Sequence, residues 1–212
     1  SPEAPVPVLL EQEQKYSIGG AGNLALNIQS INGDVYLYGN VGQDKEGFKL
    51  LELLGATKLN TNIASDHDIT TTKSRLVGQQ GQHIVRWDKE KKYTGQDAFE
   101  RLVSSIEALD IICISDYNKG TVTEATIERV LTKTNRILVD PKQNYKIYRG
   151  ALLVKPNMKE YNEWNGPYNP ETALDFMKKN NWRWLVVTDG ANGMHVLNDS
   201  GEYKRFIEPV AE

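Results

Sequence analysis

The chain has 212 residues, with 25 Lys and Arg against 28 Asp and Glu and a net charge of −3. That length suits one α/β domain with a core of its own, and the charge excludes the basic footprint of a nucleic-acid binder. No run approaches the roughly 20 apolar residues of a membrane span, and the single cysteine, Cys113, excludes an internal disulfide and favours a reducing, cytoplasmic setting.

In chain order, the opening "SPEAPVPVLL" lacks the basic-then-apolar pattern of a signal peptide. Val6, Val8 and Leu10 alternate, so residues 5–17 are expected to form a strand with one covered face. Leu24, Ile28 and Ile31 recur at helical spacing and predict a helix over 21–32. "DVYLYGNVG" (34–42) reads as a buried strand, and "KEGFKLLELLG" (45–55) as a helix ended by Gly55. Residues 69–90 hold two β-rich runs around "GQQGQ", a hairpin signal. Alternation puts Thr71, Lys73, Arg75 and Val77 on one face of its first strand, and Ile84, Arg86 and Asp88 on one face of its second.

The second half alternates regularly. Helix 96–108 carries Phe99, Leu102, Val103 and Ile106. Strand 109–115 holds Cys113 within "DIICISD", where it is expected to be a small buried hydrophobe. Helix 123–133, strand 136–140, strand 151–155 and a helix from 157 follow. Asn169 and Pro170 supply a cap and a first-turn proline for a helix to about 180. Strand 184–188 precedes a hairpin over 193–207. Apolar strands separated by amphipathic helices predict a parallel sheet covered on both faces.

Three features bear on chemistry at once. His67, His83 and His195 are scattered without ligand spacing, so a structural zinc site is not expected. No G-x-x-x-x-G-K-[ST] motif occurs. Gly20, Gly22 and Ala25 in "SIGGAGNLALNIQS" fit the G-x-G-x-x-A dinucleotide fingerprint. That reading needs a buried strand before the glycines and a carboxylate at the end of the next strand. "EQEQKYSI" is too polar for the first, and "YGNVG" lacks the second. The same glycines can instead expose backbone N–H groups at a helix start to sugar hydroxyls, with Asn23 as a further donor and acceptor. A tight turn with nothing bound is the plain alternative.

Five segments in order extend the evidence: "GGAGNLALNIQSINGDVYLYGNVGQDKEG", "TTTKSRLVGQQGQHIVRWDKE", "ISDYNKGTVT", "LVDPKQNYKIYRGALLVKPNMKE" and "VVTDGANGM". Together they resemble the ribokinase-like, PfkB-type carbohydrate kinases, and within that family the kinases of heptose 7-phosphate. The resemblance covers essentially the whole chain. It implies a Rossmann-like α/β ribokinase fold, with a mostly parallel sheet, helices on both faces and a small β lid. Residues 1–212 would form one incomplete kinase domain, with lid segments at 5–17 and 69–90 and a homodimer made through the lid. The implied reaction uses ATP and Mg²⁺ to phosphorylate the anomeric hydroxyl of D-glycero-D-manno-heptose 7-phosphate, toward ADP-heptose and lipopolysaccharide.

The resemblance places the sugar at Gly19, Gly20 and Asn23. Lys73, Arg75, Arg86 and Asp88 on the lid would meet the substrate, and arginine can grip phosphate bidentately. Exposed charges are also simply solvated. Asp116 follows an apolar strand at its carboxyl end, where ligands gather in open α/β sheets; it and Lys119 would orient substrate or phosphate. Lys142 would meet ATP phosphates. Asn157 and Glu160 have capping-box spacing, and in the family this N-x-x-E pattern holds magnesium and phosphate through water, with no direct metal ligand. Thr188, Gly190 and Gly193 would form the nucleotide-side loop. The family's catalytic Gly-Ala-Gly-Asp is not found in the sequence, nor is a counterpart of its first strand before "SPEAPVPV". The family pattern would lead into that motif after "RFIEPVAE", so the catalytic base is expected beyond Glu212. The chain alone is therefore expected to show negligible catalysis. Other sugar kinases (for ribose, fructose or a phosphofructose), a non-catalytic sugar- or nucleotide-binding module, and an NAD-dependent dehydrogenase are the alternatives.

Overall fold

The structure is a computed structural model describing residues 12–142 and 145–207. Helix α1 (Gly20–Ser30) starts at the glycine pair, with Gly19 as its N-cap. Of the expected first strand, residues 5–11 lie outside the described residues. Glu212, beyond which the sequence reading expects the catalytic base, also lies outside the described residues. Gln12–Ser17 is irregular and exposed, because "QEQKYS" has no alternating apolar face to bury.

Strand β1 (Tyr36–Gly42), helix α2 (Lys45–Gly55) and strand β2 (Asn60–His67) follow, and β1 and β2 pair in parallel. β2 escapes the sequence reading: "NTNIASDH" is polar and offers no apolar alternation. These elements enclose a small cluster of Ala25, Leu37, Leu54 and Leu59. The expected hairpin forms as β3 (Thr72–Val77) and β4 (His83–Lys89), an antiparallel ribbon.

A larger core begins at helix α3 (Asp97–Ser105), whose Phe99, Leu102 and Val103 face inward. Then come β5 (Ile112–Ser115), α4 (Glu124–Leu131), β6 (Ile137–Asp140), β7 (Leu153–Val154), α5 (Met158–Asn165), α6 (Pro170–Lys179) and β8 (Trp184–Thr188), closed by the hairpin β9 (Met194–Asn198) and β10 (Tyr203–Phe206). The sheet runs β10-β9-β8-β7-β6-β5. β5 to β8 are parallel, while β9 and β10 are antiparallel. Its core holds the fully buried Tyr148, Tyr161, Met177 and Trp182. Local caps set the helix starts as expected. Asn157 and Glu160 form a reciprocal capping box, and Asn169 caps α6 with Pro170 in its first turn.

β1 pairs only with β2, and β5 only with β6, among the described strands. Their free edges line one common cleft. This corrects the expectation for Cys113. An apolar run predicts cover on both faces, but the face of β5 carrying Ile111 and Cys113 opens into the cleft, leaving Ile111 50% exposed and Cys113 exposed. Nearby protein still pushes the thiol pKa above its ordinary 9.0 through partial burial. Iodoacetamide should therefore alkylate Cys113 in the folded protein, at a rate still rising above pH 9.0. Mass spectrometry across a pH series checks this, and protection until unfolding would contradict the open face.

The ribbon is rooted on one carboxylate. Asp44 caps α2 by accepting from the Gly47 N–H at 2.9 Å. It also accepts from Thr70, just before β3, through N–H at 3.0 Å and Oγ1 at 2.6 Å, and from Lys89, at the end of β4, at 3.2 Å. Burial pushes the Asp44 carboxyl up, but the bonds from Thr70, Gly47 and Lys89 outweigh it and hold the group well below its ordinary 3.8. Asp44→Ala should cost roughly 1–2 kcal/mol, as cap losses do. A depressed carboxylate stabilises the fold above its unfolded pKa and loses that contribution as pH falls through the folded value. The difference between wild type and variant should thus hold at neutral pH and shrink on acidification below 3.8, in urea titrations at each pH.

Candidate active site

A cleft of about 2400 Å³ lies between the ribbon, α1, β1 and β5. Of the residues singled out from sequence, Gly19, Gly20, Lys73, Arg75, Asp116 and Lys119 line it, whereas Asn23, Arg86 and Asp88 do not. Among the described residues no side chain caps α1, and no acidic residue stands in its first turn. Gly19 faces open space, and Gly20 adopts φ +54, a left-handed conformation natural to glycine. The first-turn N–H groups are thus available to a polar or anionic ligand. Asn23 is exposed on the helix, its N–H bonded to the Gly19 carbonyl. The dinucleotide fingerprint lacks its context, since no strand precedes the glycines from Gln12 onward.

Alternation predicts each pair on one face of its own strand; the ribbon register, with Lys73 opposite Asp88 and Arg75 opposite Arg86, brings the four onto one shared face. Two of them are already engaged. Arg86 grips Asp88 through Nε to Oδ1 at 2.8 Å and Nη2 to Oδ2 at 2.6 Å. That bond, with Lys73 and Arg75 nearby, holds the Asp88 carboxyl below its usual range. Lys73 and Arg75 line the cleft, as does Lys89, which is paired with Asp44 and Glu46.

Asp116 ends β5 and is buried. Its Oδ1 accepts from the Asn118 N–H at 2.7 Å, and its Oδ2 takes the Tyr148 hydroxyl. The carboxylate braces the following turn from inside. Lys119 pairs with Glu90 beyond the ribbon, and its carbonyl accepts the Tyr93 N–H at 2.7 Å. The Tyr93 hydroxyl donates to Asp66 at 2.5 Å, and burial together with that bond raises its pKa to about 12. Thr121 donates to Asn40 at 2.5 Å, joining the carboxyl ends of β1 and β5 across the cleft. The sequence reading missed Tyr93, Thr121 and Tyr117, because their roles depend on contacts far along the chain.

A second group gathers at the carboxyl ends of β6, β7 and β8. Lys142 donates to Glu160 Oε1 at 2.7 Å, a bond that raises the lysine pKa. Glu160 Oε2 accepts the Asn157 N–H at 3.0 Å, and Asn157 Oδ1 accepts the Glu160 N–H at 2.8 Å. Thr188 bridges to Asn157, and its N–H donates to the Pro156 carbonyl at 3.1 Å. Gly190 and Gly193 form the turn after β8. Gly193 has φ +89, and a Cβ there would lie 1.9 Å from the Phe206 carbonyl oxygen, so close packing on β10 by itself demands glycine. Each Glu160 oxygen thus already accepts from a protein donor.

Comparison with known proteins places this architecture. The pfkB family carbohydrate kinase profile matches residues 1–211. The bifunctional protein HldE of Haemophilus influenzae (strain PittEE) is 35% identical over 214 residues, covering 95% of this chain and 45% of that protein. HldE of Coxiella burnetii (strain RSA 331 / Henzerling II) is 34% identical over 225 residues, covering 100% of this chain and 47% of its own length. The chain thus spans a little under half of these relatives. Among solved structures, phosphofructokinase-2 from Escherichia coli in complex with fructose-6-phosphate superposes with a TM-score of 0.75 at 18% identity, covering 97% of this chain and 75% of that one. The ribokinase-type α/β fold with its β lid is the fold of this protein, and the chain belongs to the pfkB family of carbohydrate kinases.

Proposed function

We propose that this chain carries the sugar-binding and part of the nucleotide-binding machinery of an ATP-dependent kinase for a phosphorylated sugar, heptose 7-phosphate first among candidates. One observation carries the reading: the uncapped start of α1 and the lid cations Lys73 and Arg75 face the same cleft. The helix start suits sugar hydroxyls, and the cations suit a phosphate already on the sugar. The resemblance of the five segments to kinases of heptose 7-phosphate supports heptose over other sugars.

The second group would take ATP. Lys142 and the α5 start suit the nucleotide phosphates, with Mg²⁺ held by Asn157 and Glu160 through water. Magnesium would neutralise charge on the transferred phosphoryl group. No residue of this chain, through Glu212, is assigned as the base for the sugar hydroxyl, since no Gly-Ala-Gly-Asp occurs in its 212 residues.

A thermal-shift panel tests the reading, because a ligand selective for the folded state raises the melting point. Heptose 7-phosphate should raise it more than ribose or fructose 6-phosphate, and NAD should leave it unchanged. Lys73→Met and Arg75→Met should each weaken the heptose 7-phosphate response about tenfold, the scale of a charge-assisted bond. ATP turnover by residues 1–212 alone should be negligible. Equal shifts with unphosphorylated sugars would overturn the substrate class, and robust turnover would overturn the incomplete-site reading.

The lid also supports a homodimer. On β4, Val85 and Trp87 stand 48% and 54% exposed beside Leu76 of β3, an apolar surface that water does not favour. Light scattering of the native protein should give twice the chain mass, and Trp87→Asp should give the monomer mass. A monomer before substitution would remove the lid dimer.

A further inference from the structure

Tyr117 stands between the two halves of the cleft. Its ring lies against the helix start, where a Cβ on Gly20 would be 3.5 Å from Cε2. The Lys73 ammonium sits over the same ring, 5.5 Å from its centroid. We infer that Tyr117 is a positioning residue: its ring seats Lys73, and with it strand β3, over the start of α1, and so sets how far the lid reaches toward an anionic sugar. The inference rests on the sugar-phosphate reading of the cleft.

The seat is rigid because its turn is over-determined. Asp116 is held by Tyr148 and by the Asn118 N–H at 2.7 Å. Asn118 adopts φ +54 and Gly120 φ +98. A Cβ on Gly120 would lie 2.1 Å from the Tyr93 carbonyl oxygen, so glycine is required where the turn meets the chain leaving the lid. The Lys119–Tyr93 backbone bond, at 2.7 Å, closes that contact. Tyr117 itself is 44% exposed, so burial of its ring is not what fixes it.

The chemistry of the seat suits its role. Asp88, the cross-strand neighbour of Lys73, is already gripped by Arg86 through both oxygens. A carboxylate at position 117 would pair with Lys73 and neutralise it. An aromatic ring holds the ammonium through its quadrupole and leaves the full charge for an incoming anion. The hydroxyl has no part in this, so phenylalanine should serve as well.

Hydrogen exchange of the native, ligand-free chain tests the seat directly. Tyr117→Leu and Lys73→Met should each speed exchange across 72–89 at least threefold, and Tyr117→Phe should not. The double variant should add nothing to either single one, since both remove one contact. Sugar-phosphate affinity, read by thermal shift with heptose 7-phosphate, should fall about two- to fivefold in Tyr117→Leu and return in Tyr117→Phe, the scale of an exposed cation–π contact. Unchanged exchange in Lys73→Met, a substitution on the solvent-facing ribbon, would overturn the seat even if Tyr117→Leu unfolds. Failure of the wild type to bind any sugar phosphate, with the exchange pattern intact, would instead overturn the substrate reading and the ligand role built on it.

Discussion

A two-stranded ribbon does not hold a fixed place by its own hydrogen bonds. The geometry of this cleft depends on how β3 and β4 are tied down. Asp44 does this for both strands at once at the ribbon's open end, binding Thr70 before β3 and Lys89 at the end of β4. Because Asp44 also caps α2, the ribbon's base moves only if a helix start is given up. Beyond β4, Lys91 pairs with Asp68, and Tyr93 binds both Asp66 and Lys119. Lys73 and Arg75 reach the cleft because these polar ties fix the strand that bears them.

The two residue groups sit on two supports. The group proposed for the sugar is built from a helix start and a ribbon, around a small apolar cluster. The group proposed for the nucleotide phosphates is built on the ends of β6, β7 and β8, above the larger core with Trp182 and Tyr148 at its centre. The first depends on polar anchors near the surface, and the second on packing. Loosely packed, solvent-exposed regions open at lower free energy than core elements. This division suits a lid that must admit a ligand over a base that must not move.

What the sequence revealed follows from how local each signal is. The N-cap at Asn157 and its partner Glu160 are three residues apart, so their capping box could be read directly. The alternation of apolar strands and helices from 96 onward gave the parallel sheet. Period two gave one face for Lys73 and Arg75 and one for Arg86 and Asp88; that the two coincide depends on the cross-strand register. The losses were non-local. The polar "NTNIASDH" becomes a strand only because β1 lies beside it. Cys113 sits in a convincing core pattern whose cover is missing on one face. Asp116 lines the cleft as its strand-end position suggests, but its contact with Tyr148, 32 residues on, could not be read locally. Tyr117 was in plain view, yet its neighbours are Gly20 and Lys73, each far away in sequence.

The edges of β1 and β5 that pair with no other described strand carry a further consequence. Strand edges with unpaired N–H and C=O groups are templates for strands of other molecules, and proteins usually blunt them with lysine, proline or bulges. The runs Tyr36–Val41 and Ile111–Ser115 contain no lysine and no proline. The ribbon shelters these edges from one side without pairing them. Crowded solutions of this chain therefore face a self-association hazard independent of any lid interface, in which edges from separate molecules add to one another's sheets. Whatever keeps the ribbon seated also guards solubility, so an open lid exposes an aggregation surface along with a binding site.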